Sequence, residues 1–379
     1  MLRDVLIVLH SWTEALTNRN REYTDRTVEE SMGKIHRKIA AAGVCCLTIS
    51  MLTGCGSDTT KINEGMQLVE NLDYQGALTV FDEAEGLGED SRLLARGRGI
   101  ASMGLTEYDQ AVEYFTQALE LSSGWVQNVD YDMNYYLAAA YTKNSQPAEA
   151  KKVYDAILGL KPEEKDAYFL RGSVELELGD YESAKADFDR VISMDPKNYD
   201  RLIDIYEVLA EHGYREVGQE YLQNVLDTAK QLEAYDSGRI YYYLGEYQKA
   251  YLALEEAKDK GGADSYLYLG RAYEATGDYN YASSVYNNYL SKQGPNAEIY
   301  NQLGLCEMAK KEYQKALEAF QAGKQIEGND LMQTLSFNEI VAYEYLEEYQ
   351  QAAVLLNTYL QNYPDDQTAI REQAFLSTR

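Results

Sequence analysis

A short pattern recurs nine times along this chain and constrains its fold more than any other feature. A small residue, alanine in eight copies and glycine in one, is followed four residues later by a large apolar residue. Seven copies also carry a tyrosine three residues before the small residue. A chain with a fixed period of this length is built from stacked units and not from one compact core. The small residues recur every 32 to 39 positions, at Ala77, Ala111, Ala150, Ala184, Gly218, Ala250, Ala282, Ala316 and Ala352.

The copy at residues 166–196 indicates what each unit contains. It has two segments with apolar residues at helical spacing, separated by a Gly-Asp-Tyr turn at 179–181. In the second segment Ala184 and Phe188 lie on the same apolar face, and Pro196 ends the unit because proline cannot continue a helix. The pattern therefore predicts a helix–turn–helix unit. We expect the small residue to let the two helices approach and the large one to fill the seam with the next unit.

This pattern resembles the tetratricopeptide repeat, a helix–turn–helix unit of about 34 residues. The resemblance covers residues 62–364 and implies nine repeats in an all-α, right-handed α-solenoid, with residues 365–379 as a C-terminal capping helix. An insertion at Ser122–Asn134, which contains Trp125, interrupts the period after the second repeat. Such an insertion forms either a loop on a binding face or a longer loop without a function.

The segment before the repeats has the features of an export signal. Residues 32–54 begin with Met32 and a short basic region, followed by the uncharged stretch Ile39–Leu52. That stretch is shorter than the roughly 20 apolar residues of a membrane span but fits the apolar region of a signal peptide. We interpret residues 1–31, which lack any period, as a mis-called start or an extended N-terminus, and we expect translation to begin at Met32.

The apolar stretch ends in Leu52, Thr53, Gly54 and Cys55, an order that resembles the lipobox of bacterial lipoproteins. The resemblance implies cleavage before Cys55, a lipid on its thiol and a short tether over residues 55–61. It also implies a membrane protein on the extracytoplasmic face, in a host with either one membrane or two. Removal of the leader leaves Cys306 as the other cysteine, so we expect no intrachain disulfide.

Charge and composition exclude several classes of function. The chain has 35 lysines and arginines against 62 aspartates and glutamates, a net charge of −27, which disfavours nucleic-acid binding. The mature chain would keep one histidine, His212, and one thiol besides Cys55. A Cys/His pair, a zinc site or a Ser-His-Asp triad needs more than this. We therefore expect no enzymatic activity, no cofactor and no metal.

The resemblance leaves a surface as the candidate for function. In this family the exposed positions of the first helix of each repeat, helix A, line a groove that binds a protein or an extended peptide. Aromatic residues and arginine at such positions are enriched in binding hot spots. The candidate groove residues are Arg96, Tyr135, Phe169, Tyr235, Arg239, Tyr242, Arg271 and Asn301.

Repeats six and seven are the favoured binding region, because there Arg239 and Arg271 could pair with carboxylates of the partner. An alternative interpretation is that Glu207, Arg239 and Arg271 form a charge ladder between repeats. On the first interpretation the protein is a lipid-anchored scaffold that contacts the membrane only through its lipid. Two other functions stay open: a solute- or glycan-binding lipoprotein that uses stacked tyrosines, and a subunit of an envelope biogenesis or secretion complex.

Overall fold

The computed structural model describes residues 59–71, 73–122, 128–329, 331–363 and 366–378. The predicted signal peptide, the lipobox with Cys55, and Trp125 lie outside these described residues. The described parts of the chain contain nineteen helices and no strand, which confirms the predicted all-α class. None of these helices is both long enough and apolar enough to cross a membrane.

The chain divides into two compact units, the first ending at Asn198 and the second beginning at Tyr199. In each unit, the first helix of a repeat (helix A) alternates along the sequence with the second helix of that repeat (helix B). The helices of the first unit are α1 (Thr60–Glu70), α2 (Tyr74–Leu87), α3 (Ser91–Gly104), α4 (Tyr108–Glu120), α5 (Asn128–Lys143), α6 (Pro147–Leu160), α7 (Lys165–Glu177) and α8 (Tyr181–Met194).

The second unit contains five further A helices and B helices in alternation, followed by a single last helix. They are α9 (Tyr199–Glu211), α10 (Arg215–Thr228), α11 (Ala234–Tyr243), α12 (Tyr247–Ala257), α13 (Gly262–Ala275), α14 (Tyr279–Gln293), α15 (Ala297–Ala309), α16 (Tyr313–Lys324), α17 (Met332–Tyr345), α18 (Tyr349–Asn362) and α19 (Gln367–Leu376).

The Gly-Asp-Tyr turn is explained by backbone geometry between helix A and helix B. Gly179 has a φ of 77°, in the left-handed region that favours glycine. Asp180 follows as the N-cap of α8, where its side chain accepts a hydrogen bond from the backbone N–H of Ser183. The backbone N–H of Asp180 donates to the carbonyl of Glu175 at 2.8 Å, which closes the end of helix α7. The turn sequence therefore ends one helix and begins the next.

The repeated small residues are the points of closest packing. All eight alanines at these positions have no solvent exposure, and Gly218 is buried. The large residue four positions later packs on a glycine of helix A in its own repeat. The added Cβ would lie 2.2–2.8 Å from that large side chain at Gly65, Gly99, Gly172, Gly238, Gly270 and Gly304. The large residue also reaches the next repeat, as predicted: Phe81 lies 2.6 Å from the Cβ position of Gly97, and Phe115 stacks on Tyr136.

The insertion and the C-terminal end also have defined structures. Residues 128–134 belong to helix α5, so this part of the insertion is helical and not a loop; residues 123–127 are not among those described. At the other end, Asp366 caps α19 by accepting from the backbone N–H groups of Thr368 and Ala369. The buried side chains of Ala369 and Leu376 in α19 pack against the core of the last repeat.

Candidate partner-binding face

In the first unit, the candidate residues Arg96 and Tyr135 occupy neighbouring A helices. Arg96 in α3 is paired with Asp132 in α5, with 2.5 Å between Nη2 and Oδ2. Its guanidinium also lies 5.8 Å from the ring centroid of Tyr136. Tyr135 is half-buried, and its ring centroid is 6.2 Å from that of Tyr154. Arg96 therefore links two repeats.

The prediction that Phe169 lines a groove is wrong. Phe169 is only 1% exposed, and its ring centroid lies 6.1 Å from that of the fully buried Phe188. Helix α7 is buried on more than one side, as Ala167, Leu170 and Val174 show, so the mapped position turns inward. Phe169 belongs to the hydrophobic core of the first unit.

In the second unit, the predicted residues of repeats six and seven lie on one continuous surface. We call it the tyrosine face and define it by the side chains of Tyr235, Arg239, Tyr242 and Tyr243 from α11, and Tyr268 and Arg271 from α13. The ring of Tyr242 meets those of Tyr243 and Tyr268 at centroid distances of 5.5 and 5.7 Å, both edge to face. The ring of Tyr235 lies 6.5 Å from that of Tyr268.

The sequence predicted that Arg239 is exposed and available to a partner. In the structure, Arg239 is only 7% exposed and is already paired within the protein. Its Nη1 donates to Asp200 Oδ1 at 2.5 Å and its Nη2 to Asp236 Oδ1 at 2.8 Å. Burial alone would lower the pKa of Arg239, but Tyr235, Asp200 and Asp236 raise it above its ordinary value. The guanidinium therefore stays charged, and it lies 4.3 Å from the ring centroid of Tyr235.

Arg271 is held in a similar way, since its Nη2 donates to Glu298 Oε1 in α15 at 3.2 Å. These contacts favour the charge-ladder interpretation for both arginines. Glu207 on α9 joins the same surface differently: it accepts a hydrogen bond from the Tyr243 hydroxyl at 2.6 Å. Asn301 lies further along, where its Oδ1 accepts from Asn338 Nδ2 at 2.9 Å.

Sequence reasoning missed Tyr268 as a member of the face. It is 9% exposed, yet both arginines lie 6.0 Å from its ring centroid, and three other tyrosine rings pack around it. Tyr268 does not occupy one of the helix A positions that line the groove in this family, so the family resemblance did not select it. The available signal was the clustering of tyrosines in α11 and α13.

A half-buried carboxylate lies at the end of helix α13. Glu274 Oε1 accepts from the Tyr286 hydroxyl at 2.8 Å, and its Oε2 accepts from Gln302 Nε2 at 3.0 Å. Burial raises the pKa of Glu274 to about 7, although these hydrogen bonds and the Arg271 charge act in the opposite direction. The nearby thiol of Cys306 is 1% exposed, and burial raises its pKa to about 12, so it is unreactive at neutral pH.

Replacement of Glu274 by glutamine is expected to flatten the pH dependence of stability between pH 4.5 and about 7. The folded chain holds this proton more tightly than the unfolded chain, so the free energy of unfolding falls as pH rises through this window and is level above it. Each unit of pKa is worth about 1.4 kcal/mol, and partial solvent contact reduces the effect, so we expect about 1–2 kcal/mol. Urea unfolding at several pH values measures it. The exposed Glu256→Gln variant is the control, and parallel curves for Glu274→Gln and wild type would contradict the prediction.

The described residues contain no group of three or more histidine, cysteine, aspartate or glutamate side chains placed to hold a metal ion. What they do offer is a set of aromatic rings, ion pairs and carboxylates across successive A helices. Such a surface can bind another chain through ring contacts and charge.

Comparison with known families agrees with the repeat pattern. A family model described as tetratricopeptide repeat matches residues 135–199 and 269–330, and a second model with this description matches residues 98–124. The matched residues are therefore tetratricopeptide repeats, and the fold of the described residues is an all-α solenoid of such repeats. Proteins of this family are generally scaffolds without enzymatic activity, and the array indicates a protein-interaction scaffold.

Two curated relatives are similar over half of the chain. A TPR repeat-containing protein of Methanocaldococcus jannaschii is 23% identical over 204 residues, which are 50% of this chain and 34% of that protein. RNA polymerase II-associated protein 3 of Homo sapiens is 25% identical over 207 residues, 50% of this chain and 30% of that protein. The chain thus spans about one third of the length of the curated relatives it matches.

Two solved structures share lower sequence identity. Yeast Tom70 has a TM-score of 0.47 and 13% identity, covering 84% of this chain and 88% of that chain. A tetratricopeptide repeat protein from Parabacteroides merdae has a TM-score of 0.42 and 14% identity, covering 66% of this chain and 98% of that chain.

Proposed function

We propose that this protein is a lipid-anchored scaffold that binds a partner protein, or an extended segment of one, on the extracytoplasmic face of the cell membrane. The observation that carries the proposal is the order of two features in one chain. A basic and apolar leader ends in Leu52, Thr53, Gly54 and Cys55, and a tetratricopeptide repeat array begins within a few residues of it.

A diacylglyceryl group on Cys55 would supply the anchor. Stable membrane attachment takes two acyl chains or an equivalent second signal, and a diacylated cysteine provides two chains on one residue. The first described helix begins at Thr60, so a short tether would keep the repeats close to the bilayer. The net charge of −27 opposes direct contact with anionic lipids and with nucleic acid. The lipid is therefore the only membrane contact that we propose.

Replacement of Cys55 by serine is expected to move the protein from the detergent phase to the aqueous phase in a phase-partition experiment, because the hydroxyl cannot take the thioether-linked lipid. Mass spectrometry of the N-terminal peptide of the wild-type protein is expected to show a lipidated Cys55. Cys306→Ser serves as the matched control and should stay in the detergent phase, because Cys306 is buried in the repeat core. A Cys55→Ser protein that partitions like wild type would contradict the lipid anchor.

The scaffold function is tested by site-specific photo-crosslinking in the native host. A photoreactive phenylalanine analogue at position 242 lies on the tyrosine face, and the same group at position 252 replaces the exposed Leu252 on helix B. We expect a defined crosslinked partner from position 242 and none from position 252. Crosslinks of equal pattern and yield from both positions would contradict a partner site on the A helices.

Binding of a solute or glycan is a second candidate, and a stack of tyrosines in the second unit favours it. The rings of Tyr251 and Tyr273 are stacked at 4.7 Å with an interplanar angle of 10°, and Tyr281 continues the stack at 5.2 Å from Tyr273. Tyr281 is 59% exposed and could offer a ring face to a sugar. Calorimetry with soluble oligosaccharides of the host envelope tests this candidate. Binding that Tyr281→Ala abolishes would support it, and the absence of binding heat would exclude it.

A further inference from the structure

We infer that the tyrosine face takes a partner segment whose contacting side chains are arginine and lysine. The inference rests on the proposed scaffold function and adds the chemistry of the partner. It reverses the sequence-based expectation that the arginines of this face receive carboxylates from the partner.

The first step is that the face belongs to one cluster of contacting side chains across four A helices of the second unit. Tyr206 and Tyr268 are buried in this cluster, and the half-buried Tyr242 and Tyr243 form part of its exposed side. Tyr206 on α9 meets Tyr243 on α11 at a centroid distance of 5.3 Å. Tyr243 in turn meets Tyr268 on α13 at 6.0 Å. Arg271 on α13 then reaches Glu298 on α15. An extended segment lying across these helices could therefore contact several repeats in succession.

The second step is the charge of this surface. The two arginines already have carboxylate partners within the protein, at 2.5 and 2.8 Å for Arg239 and at 3.2 Å for Arg271. A carboxylate from a partner would have to compete with these ion pairs and would approach a surface with an excess of negative charge. With Arg215, which donates to the Tyr206 hydroxyl, three arginines are set against five carboxylates around this cluster, which are Asp200, Glu207, Asp236, Asp264 and Glu298.

The third step is that the rings of this face already hold cations. The guanidinium of Arg239 lies 4.3 Å from the ring centroid of Tyr235, and those of Arg239 and Arg271 lie 6.0 Å from that of Tyr268. These distances are within the range at which a cation is attracted to an aromatic ring. Tyr242 and Tyr243 are half-buried members of the same cluster, and Glu207 contacts the Tyr243 hydroxyl. A guanidinium or ammonium group of a partner would meet both aromatic rings and a carboxylate there.

The charge of the whole chain acts in the same direction. A net charge of −27 attracts a basic segment over long range and repels an acidic one. Charge complementarity therefore selects a basic protein segment as the occupant of the tyrosine face.

The test uses the full-length protein in detergent micelles and fluorescently labelled peptides of equal length on a glycine–serine backbone. Four peptides carry arginine, lysine, citrulline or glutamate at the same positions, and fluorescence anisotropy gives each Kd. Citrulline preserves the shape of arginine without its charge. We expect the arginine and lysine peptides to bind, the citrulline peptide to bind more weakly and the glutamate peptide not to bind.

Variants locate the binding to the face. Glu207→Gln and Tyr242→Leu are each expected to raise the Kd of the arginine peptide about two- to fivefold. The matched controls on B helices, Glu256→Gln and Tyr289→Leu, remove the same groups elsewhere in the second unit and should leave Kd unchanged. A melting curve of each variant checks that the fold is retained, and the Glu207→Gln result stands by itself if Tyr242→Leu unfolds.

Tighter binding of the glutamate peptide, equal binding of the arginine and citrulline peptides, or equal effects of face and control variants would overturn the inference. In each of these cases a partner crosslinked in cells from position 242 would still support the scaffold function. Conversely, selective arginine-peptide binding without any crosslinked partner would support the charge chemistry and count against the scaffold function. The peptide-binding experiment and the crosslinking experiment therefore test the charge of the partner and the scaffold function independently.

Discussion

Replacement of Phe188 by alanine is expected to lower the free energy of unfolding by about 3–5 kcal/mol. Phe188 in helix α8 has no solvent exposure, and its ring packs where a side chain on Gly172 would lie, at 2.8 Å from that Cβ position. It also packs on the ring of Phe169 at a centroid distance of 6.1 Å. Alanine would leave a cavity between α7 and α8, because a glycine has no side chain to move into it. Urea unfolding followed by circular dichroism measures the loss.

The controls for Phe188→Ala separate core packing from a general effect of truncation. Leu160→Ala in the same unit removes a side chain that is 60% exposed, and it should change stability by less than about 0.5 kcal/mol. Phe188→Leu should recover most of the loss, because it restores much of the buried volume. Equal destabilisation by Phe188→Ala and Leu160→Ala would show that the repeat register, with Phe188 at the buried position, is wrong.

The repeat architecture was accessible from sequence because each repeat imposes the same local requirements. Ala184 lies at a position without solvent exposure, and Gly172 lacks a side chain because the ring of Phe188 occupies that space. Gly179 and Gly277 each precede a capping aspartate because the turn needs a positive φ. These requirements act over short distances in the sequence, so they leave a readable pattern of residue types. The pattern predicted the fold class and the places where the helices pack.

The candidate site was less predictable, because its pairings join residues that are far apart in the sequence. Arg239 pairs with Asp200, 39 residues earlier, in a different repeat. A periodic pattern assigns Arg239 to a face of its helix but does not show whether another repeat supplies its counter-ion. Phe169 was misplaced for a related reason, since α7 is buried on several sides and its groove positions are not all exposed. Four of the six residues that define the tyrosine face were predicted from the sequence, whereas Tyr268 and the charge balance of the face became apparent only in the structure.

Replacement of Gly99 by alanine is expected to lower the free energy of unfolding by about 1–3 kcal/mol, although alanine has the higher helix propensity. A Cβ at this position in helix α3 would lie 2.6 Å from Cε1 of Phe115. Phe115 has no solvent exposure and is stacked on Tyr136 at 5.2 Å with an interplanar angle of 8°, so its ring has no space to move into. Urea unfolding of Gly99→Ala against the wild-type chain measures the cost.

Gly159 offers the matched substitution with the opposite expected sign. It lies in helix α6 of the same unit, and no heavy atom would be within 4 Å of an added Cβ. Gly159→Ala should therefore stabilise the protein by about 0.4–1 kcal/mol, because it restricts the unfolded chain and adds no contact. Opposite signs for the two variants would show that glycine in helix A is needed for the approach of the large residue from helix B. If both variants stabilise the protein, the close contact between Gly99 and Phe115 is not a requirement of the repeat.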